Sequence, residues 1–199
     1  MYIAGLAGLS LPATRHLFIA LTPFNLLTTG VLVVLAHEQP TRKFWLFCIA
    51  IILAGYGIEW LGVHTGKIFG QYQYLTALGP KLDEIPPLIG LNWLILTYSV
   101  GQVLQKYRAN IVILSLGGAT LMVFLDLLIE QVAPTLSFWV FSGGTPGLHN
   151  YLGWYIAAFL FLLLFNTMFK NTGNILTKWV LILQFAFFVI LCLVLPYTK

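Results

Sequence analysis

Six apolar runs, at about 17–36, 44–63, 87–105, 110–132, 150–169 and 175–196, occupy most of this chain, bounded by Gly, Pro, Asn or charged residues. A helix needs about 20 residues to cross bilayer hydrocarbon, so the runs predict six transmembrane helices. Only 8% of the 199 residues are charged and 59% are hydrophobic, too little charge to clothe a water-soluble core. The expected fold is all-α, a polytopic membrane bundle of about six transmembrane helices forming one integral membrane domain over residues 1–199. Strands are not expected: an open sheet edge goes unsatisfied in lipid, and the runs lack the period-two alternation of a transmembrane barrel.

The opening stretch "MYIAGLAGLSLPATRH" lacks the basic region and cleavage pattern of a removed signal peptide, so the first helix is expected to stay. Cys48 and Cys192 fall inside apolar runs, where thiols act as small hydrophobes, and suggest neither a disulfide nor a metal site. A formal charge of +4, scattered over loops, does not make the basic stripe that nucleic-acid binding needs. Arg42, Lys43, Lys106, Arg108, Lys170 and Lys178 flank three short connections, against Arg15, Lys67, Lys81 and Lys199 on the other side. That bias places the short connections in the cytoplasm and both termini outside.

Two connections differ from simple polar turns. Residues 64–86, "HTGKIFGQYQYLTALGPKLDEIP", and 133–149, "APTLSFWVFSGGTPGLH", are rich in Gly, Pro and aromatics and are expected on one face of the bundle. Such segments fold back over a bundle as a lid or re-entrant element, or lie in the interface as an aromatic belt.

The acidic residues within the runs are Glu59, Asp126 and Glu130. With a rise of about 1.5 Å per residue, Glu59 and Asp126 each lie roughly 22–24 Å along parallel helices, and Glu130 lies about 6 Å nearer the same face. The chain re-enters from the two unusual connections through "PPLIGLNW" and "HNYLGW", which adds Asn92, Trp93, Asn150 and Trp154 to this layer. Asp126 and Glu130, four residues apart, share a helix face, and carboxyls sharing a low-dielectric site tend to hold one proton between them. A neutral acid beside a carboxylate is poised for proton transfer. The alternative is a structural network in which Asn, Tyr or Trp donors bond the carboxyls to fix helix packing. The opposite half of the bundle reads as nearly featureless apolar side chain, suited to a greasy substrate or to lipid.

His16 and His37, at the ends of the first run, are expected at the interface. His64 and His149 join the polar layer, but no metal-ligand spacing accompanies them, so no metal is expected. Tyr56, Glu59 and Trp60 share one helix face, and Tyr72, Tyr74, Trp93, Trp139 and Trp154 surround the layer. These rings are either an interfacial belt or, as a group, π faces that stabilise a cation.

The segment "EWLGVHTGKIFGQYQYLTALGPKLDEIPPLIGLNW", residues 59–93, resembles the first signature block of the carotenoid biosynthesis membrane proteins that include carotenoid 1,2-hydratases. "DLLIEQVAPTLSFWVFSGGTPGLHNYLGW", residues 126–154, resembles the second, and the similarity spans roughly residues 44–170. Two positions depart from the pattern: Gln131 stands where a proline is expected after Glu130, and Ser137 where an acid is expected before Phe138. The resemblance implies a multi-pass protein of a bacterial or archaeal plasma membrane that adds water to the terminal 1,2 double bond of an acyclic or monocyclic carotenoid. No cofactor is implied. Asp126 would protonate the alkene, and Glu130 or Glu59 would position and deprotonate the water. Tyr56, Trp60, Tyr72, Tyr74, Trp93, Trp139, Asn150 and Trp154 would contact the end group, with the polyene in the apolar half or in lipid. The rivals are a cofactor-free carotenoid cyclase, a non-catalytic carotenoid-binding subunit, and a proton-coupled transporter, for which no inverted repeat is visible.

Overall fold

The computed structural model describes residues 1–170 and 173–197. Its helices are α1 (Tyr2–Ser10), α2 (Pro12–Ala20), α3 (Thr22–Leu35), α4 (Arg42–Thr65), α5 (Leu88–Gln105), α6 (Ile111–Val132), α7 (Leu148–Met168) and α8 (Ile175–Val194), followed by a 3-10 turn at Leu195–Tyr197. Two short strands, β1 (Tyr72–Tyr74) and β2 (Trp139–Phe141), lie in the two long connections. Lys199, one of the residues used to orient the chain, lies outside the described residues.

Local chemistry sets the helix ends. The side chains of Thr41, Asn110 and Asn174 accept from the backbone N–H groups of Phe44, Val112 and Leu176, capping α4, α6 and α8. α4 stops at Gly66, whose φ of 64° is the left-handed turn that glycine adopts without strain. The run 17–36 is not one helix: α2 and α3 meet at Leu21 with a 52° bend. Pro23 offers no N–H to the carbonyl four residues back and its ring clashes there, so α2 cannot run on. Helix α1 forms in a segment where no element was expected.

Among the described residues, four helices are long and apolar enough to cross a membrane, namely α4, α6, α7 and α8, and the bent pair α2–α3 makes a fifth if it is one span. The chain is an integral, multi-pass membrane protein. Helix α5 falls short of the same apolarity, with Asn92, Thr97, Ser99, Gln102 and Gln105 along it. It is the hub of the bundle, packed against α3, α4, α6, α7 and α8, and twelve of its eighteen residues are buried. Thr97, Ser99 and Gln105 are among those buried residues. The outer helices turn Leu53, Phe124, Ile156 and Leu193 outward, as lipid-facing surfaces do.

The expectation of no strands is corrected. β1 and β2 pair antiparallel in the register Tyr72↔Phe141, Gln73↔Val140 and Tyr74↔Trp139. Backbone bonds from Leu75 to Phe138, Ala77 to Ser137 and Ser142 to Gln71 lengthen the ladder. The argument against strands concerned edges in lipid; this ribbon instead lies against the helices, burying Tyr72, Tyr74 and Trp139.

The opposite half is not featureless either. Gln105 donates to Asn166 and to the Phe169 carbonyl, Asn166 donates to Ser115, and buried His37 bonds Tyr98 while stacking on Phe44 at 3.8 Å. His37 is thus a core residue and not an interfacial one. Only His16 of that pair is exposed.

Helices α4 and α5 approach so closely that a Cβ on Gly90 would lie 2.4 Å from the Ile52 carbonyl oxygen. Gly90→Ala is expected to destabilise the protein by about 1–3 kcal/mol. Gly117→Ala on α6, with open space around it, should leave stability unchanged or slightly raised. Thermal unfolding of both variants in detergent checks the contrast; equal behaviour would contradict the contact.

Candidate active site

Glu59, on α4, is buried and accepts three hydrogen bonds. The hydroxyls of Tyr72 and Tyr74 donate to Oε2 at 2.5 and 2.8 Å, and Trp93 Nε1 donates to Oε1 at 2.9 Å. Trp93 comes this close because residue 55, one turn before Glu59, is glycine: a Cβ there would meet Trp93 Cβ at 2.7 Å. Trp154 stacks on Trp93 with centroids 4.2 Å apart, and Phe161 meets its edge. Burial, then the neighbouring Glu59, pushes both tyrosine hydroxyls well above their usual range, so they stay protonated and remain donors.

Asp126 and Glu130, on α6, are held from α7 and β2. Asn150 Nδ2 donates to Asp126 Oδ2 at 3.0 Å and to Glu130 Oε1 at 3.4 Å, joining the two carboxyls through one amide. Trp139 Nε1 donates to both oxygens of Glu130, at 3.1 and 3.0 Å. Asp126 Oδ1 is buried without a protein hydrogen-bond partner. Among the described residues it is the one oxygen of the three carboxyls in that state.

The ribbon ties these groups into one cluster. Tyr74, which holds Glu59, and Trp139, which holds Glu130, are cross-strand partners with rings meeting edge to face at 6.0 Å. Asn150 in turn bridges Glu130 to Asp126, so hydrogen bonds and this ring contact link all three carboxyls. Eight of the expected site residues meet here: Glu59, Tyr72, Tyr74, Trp93, Asp126, Glu130, Trp139 and Asn150, with Trp154 behind Trp93.

Tyr56 and Trp60 are not brought to the carboxyls. The Tyr56 hydroxyl donates to the Leu82 carbonyl and Trp60 Nε1 to Asp83, so both latch the tight turn at 82–85 onto the outside of α4. His64 stacks on Trp60 and lies 3.6 Å from Asp83, and His149 is exposed. Among the described residues, no three His, Cys, Asp or Glu side chains are grouped as metal ligands.

Two cavities flank the cluster. One of about 350 Å³ is mostly apolar and runs between α1, α3, α5, α6 and α8; its wall includes Trp139 and, beside the two α6 acids, Leu125 and Ile129. None of the three carboxyls lines it. The other, about 580 Å³, is polar, with Tyr72 and Tyr74 in its wall beside Gln71, Gln73, Lys81 and Glu84. Trp139 thus separates Glu130 from the apolar cavity, and the tyrosines separate Glu59 from the polar one. Sequence reasoning missed the wall of the first cavity contributed by α1 and α3, because neither helix carries an acid or a motif.

A comparison with known proteins bears on these groups. Residues 21–197 match the model of the family described as "Carotenoid biosynthesis protein". The chain is also similar to the bisanhydrobacterioruberin hydratase of Haloarcula japonica, at 29% identity over 145 residues covering 66% of this chain and 48% of that protein. The chain spans about half the length of that curated relative. No solved structure matches it. With nearly the whole bundle inside the family match, the chain belongs to the carotenoid biosynthesis protein family.

Proposed function

We propose that this chain is a carotenoid 1,2-hydratase, adding water without a cofactor to the terminal 1,2 double bond of an acyclic or monocyclic carotenoid. The observation that carries the reading is Asp126 Oδ1, a buried carboxyl oxygen with no protein donor, beside a carboxyl whose oxygens are both engaged. A protonated carboxyl has one O–H to donate, and Oδ1 is the atom free to present it. The family match and the relative named as a hydratase support the same direction.

The alkene is a weak base, so the first step is proton transfer from Asp126 to C2. The π electrons form the new C–H bond, the Asp126 O–H bond breaks, and a tertiary cation remains at C1. The face of Trp139, on the wall of the apolar cavity, stabilises that cation. A water oxygen then bonds to C1, and its proton passes to Glu130. Return of that proton to Asp126, which shares Asn150 with Glu130, closes the cycle. Glu59, held by three donors, acts as a fixed negative neighbour that positions the water. The polar cavity behind Tyr72 and Tyr74 is the source of water, and the end group of the polyene reaches Asp126 from the side of the apolar cavity, past Trp139. In this arrangement α5 is a further span, shielded from lipid by its neighbours, and the two long connections share one membrane face.

Expression in a lycopene-producing host tests the reaction. The expected product gains the mass of one water; a cyclic product of unchanged mass would contradict hydration and favour a cyclase. Asp126→Asn and Glu130→Gln should each lower product formation by roughly 10²–10⁴-fold, the usual contribution of general acid–base catalysis. Full hydration by Asp126→Asn would remove it as the acid.

Tyr72→Phe and Tyr74→Phe each take a donor from Glu59. Each should lower stability by about 1.5–3 kcal/mol, the usual worth of a hydrogen bond to a charged group. Thermal unfolding in detergent is the measurement, and an unchanged midpoint in both variants would contradict the role assigned to the pair.

A further inference from the structure

The apolar cavity carries a polar feature that the reaction above does not use. Its wall is built largely from Leu9, Phe18, Leu96, Leu125, Ile129 and Phe187. Three side-chain amides come into this lining, Asn25 on α3, Asn92 on α5 and Gln184 on α8. Asn25 Oδ1 and Gln184 Oε1 are both buried and receive no hydrogen bond from any described residue. Gln184 as a whole is 8% exposed. The nearby hydroxyl of Thr29 does not serve them, since it donates to the backbone carbonyl of Asn25.

A buried amide oxygen left without a donor is costly, and two residues with such an oxygen line this one cavity. At about 350 Å³ the cavity lies at the small end of ligand pockets and takes an end group, not a whole polyene. We infer that this cavity is a binding site for an apolar chain ending in a hydroxyl group, whose O–H donates to one of the two amide oxygens, Asn25 Oδ1 or Gln184 Oε1. That the chain is isoprenoid rests on the proposed carotenoid activity; the hydroxyl rests on the two amides alone. For a hydratase, such a site would hold the tertiary alcohol that the reaction forms and favour hydroxylated over unreacted ends.

The test uses the full chain in detergent and two short probes: linalool, a tertiary isoprenoid alcohol, and its methyl ether, which keeps the oxygen but has no proton to donate. Quenching of tryptophan fluorescence reads binding, because Trp139 lies in the cavity wall. Wild type should bind linalool about ten-fold more tightly than the ether, corresponding to about 1.4 kcal/mol. Asn25→Leu and Gln184→Leu combined should bring that ratio close to one while leaving ether affinity in place. Leu removes an unsatisfied acceptor at similar size, so neither variant should unfold more readily.

Equal binding of the two probes by wild type would overturn the inference without recourse to any variant. So would a ratio that survives both substitutions, since the amides would then be satisfied by water or serve packing alone. The two readings fail separately. A chain that hydrates carotenoids but shows no alcohol preference loses only this site, whereas one that shows the preference but makes no hydrated product loses the catalytic reading and keeps the site.

Discussion

A carboxyl inside an apolar bundle must be given donors, and this requirement organises the bundle. Burying an unpaired charge in a low-dielectric interior costs far more than a single contact returns. Glu59 is met by two phenols and an indole, and Glu130 by an indole and an amide. Those donors come from β1, α5, β2 and α7, so satisfying two side chains fixes the relation of four elements to α4 and α6. The ribbon follows from the same need. Three-residue strands are marginal alone, yet Tyr72, Tyr74 and Trp139 each end on a buried carboxylate and anchor both strands to the helices.

Asp126 departs from this pattern by one atom. Its Oδ2 is bonded and its Oδ1 is not. Asn25, Thr97, Ser99 and Gln184 also carry a buried oxygen without a hydrogen-bond partner, but Asp126 Oδ1 is the carboxyl oxygen among them, the one that can carry a transferable proton. Asn150 joins Asp126 to a fully engaged carboxyl, and the proposed reaction uses that unpaired oxygen to carry the proton.

Much of this was legible in the residues. Glu59, Asp126 and Glu130 stood out as acids in apolar runs, and hydrogen bonds and a ring contact link them in the fold. Trp93 and Asn150 followed because the chain must re-enter beside where it left. The ribbon was not legible: "YQY" and "WVF" are too short for a period-two signal, and their pairing depends on contacts between connections more than sixty residues apart. The break at Pro23 was not legible in hydropathy, because the run 17–36 stays apolar across it. Tyr56 and Trp60 share a face with Glu59 in sequence, yet spacing could not reveal that the 82–85 turn would claim them. The network of Gln105, Asn166 and Ser115 was hidden because single polar residues in an apolar run carry no period of their own.

The central claim is that a carboxyl of this cluster delivers a proton to carbon. Hydration carried out in heavy water measures it directly. The account predicts a product with one carbon-bound deuterium, at the position beside the new carbinol carbon, and loss of that product in Asp126→Asn. An alcohol formed without carbon-bound deuterium, or one labelled equally well when Asp126 is replaced, would contradict it.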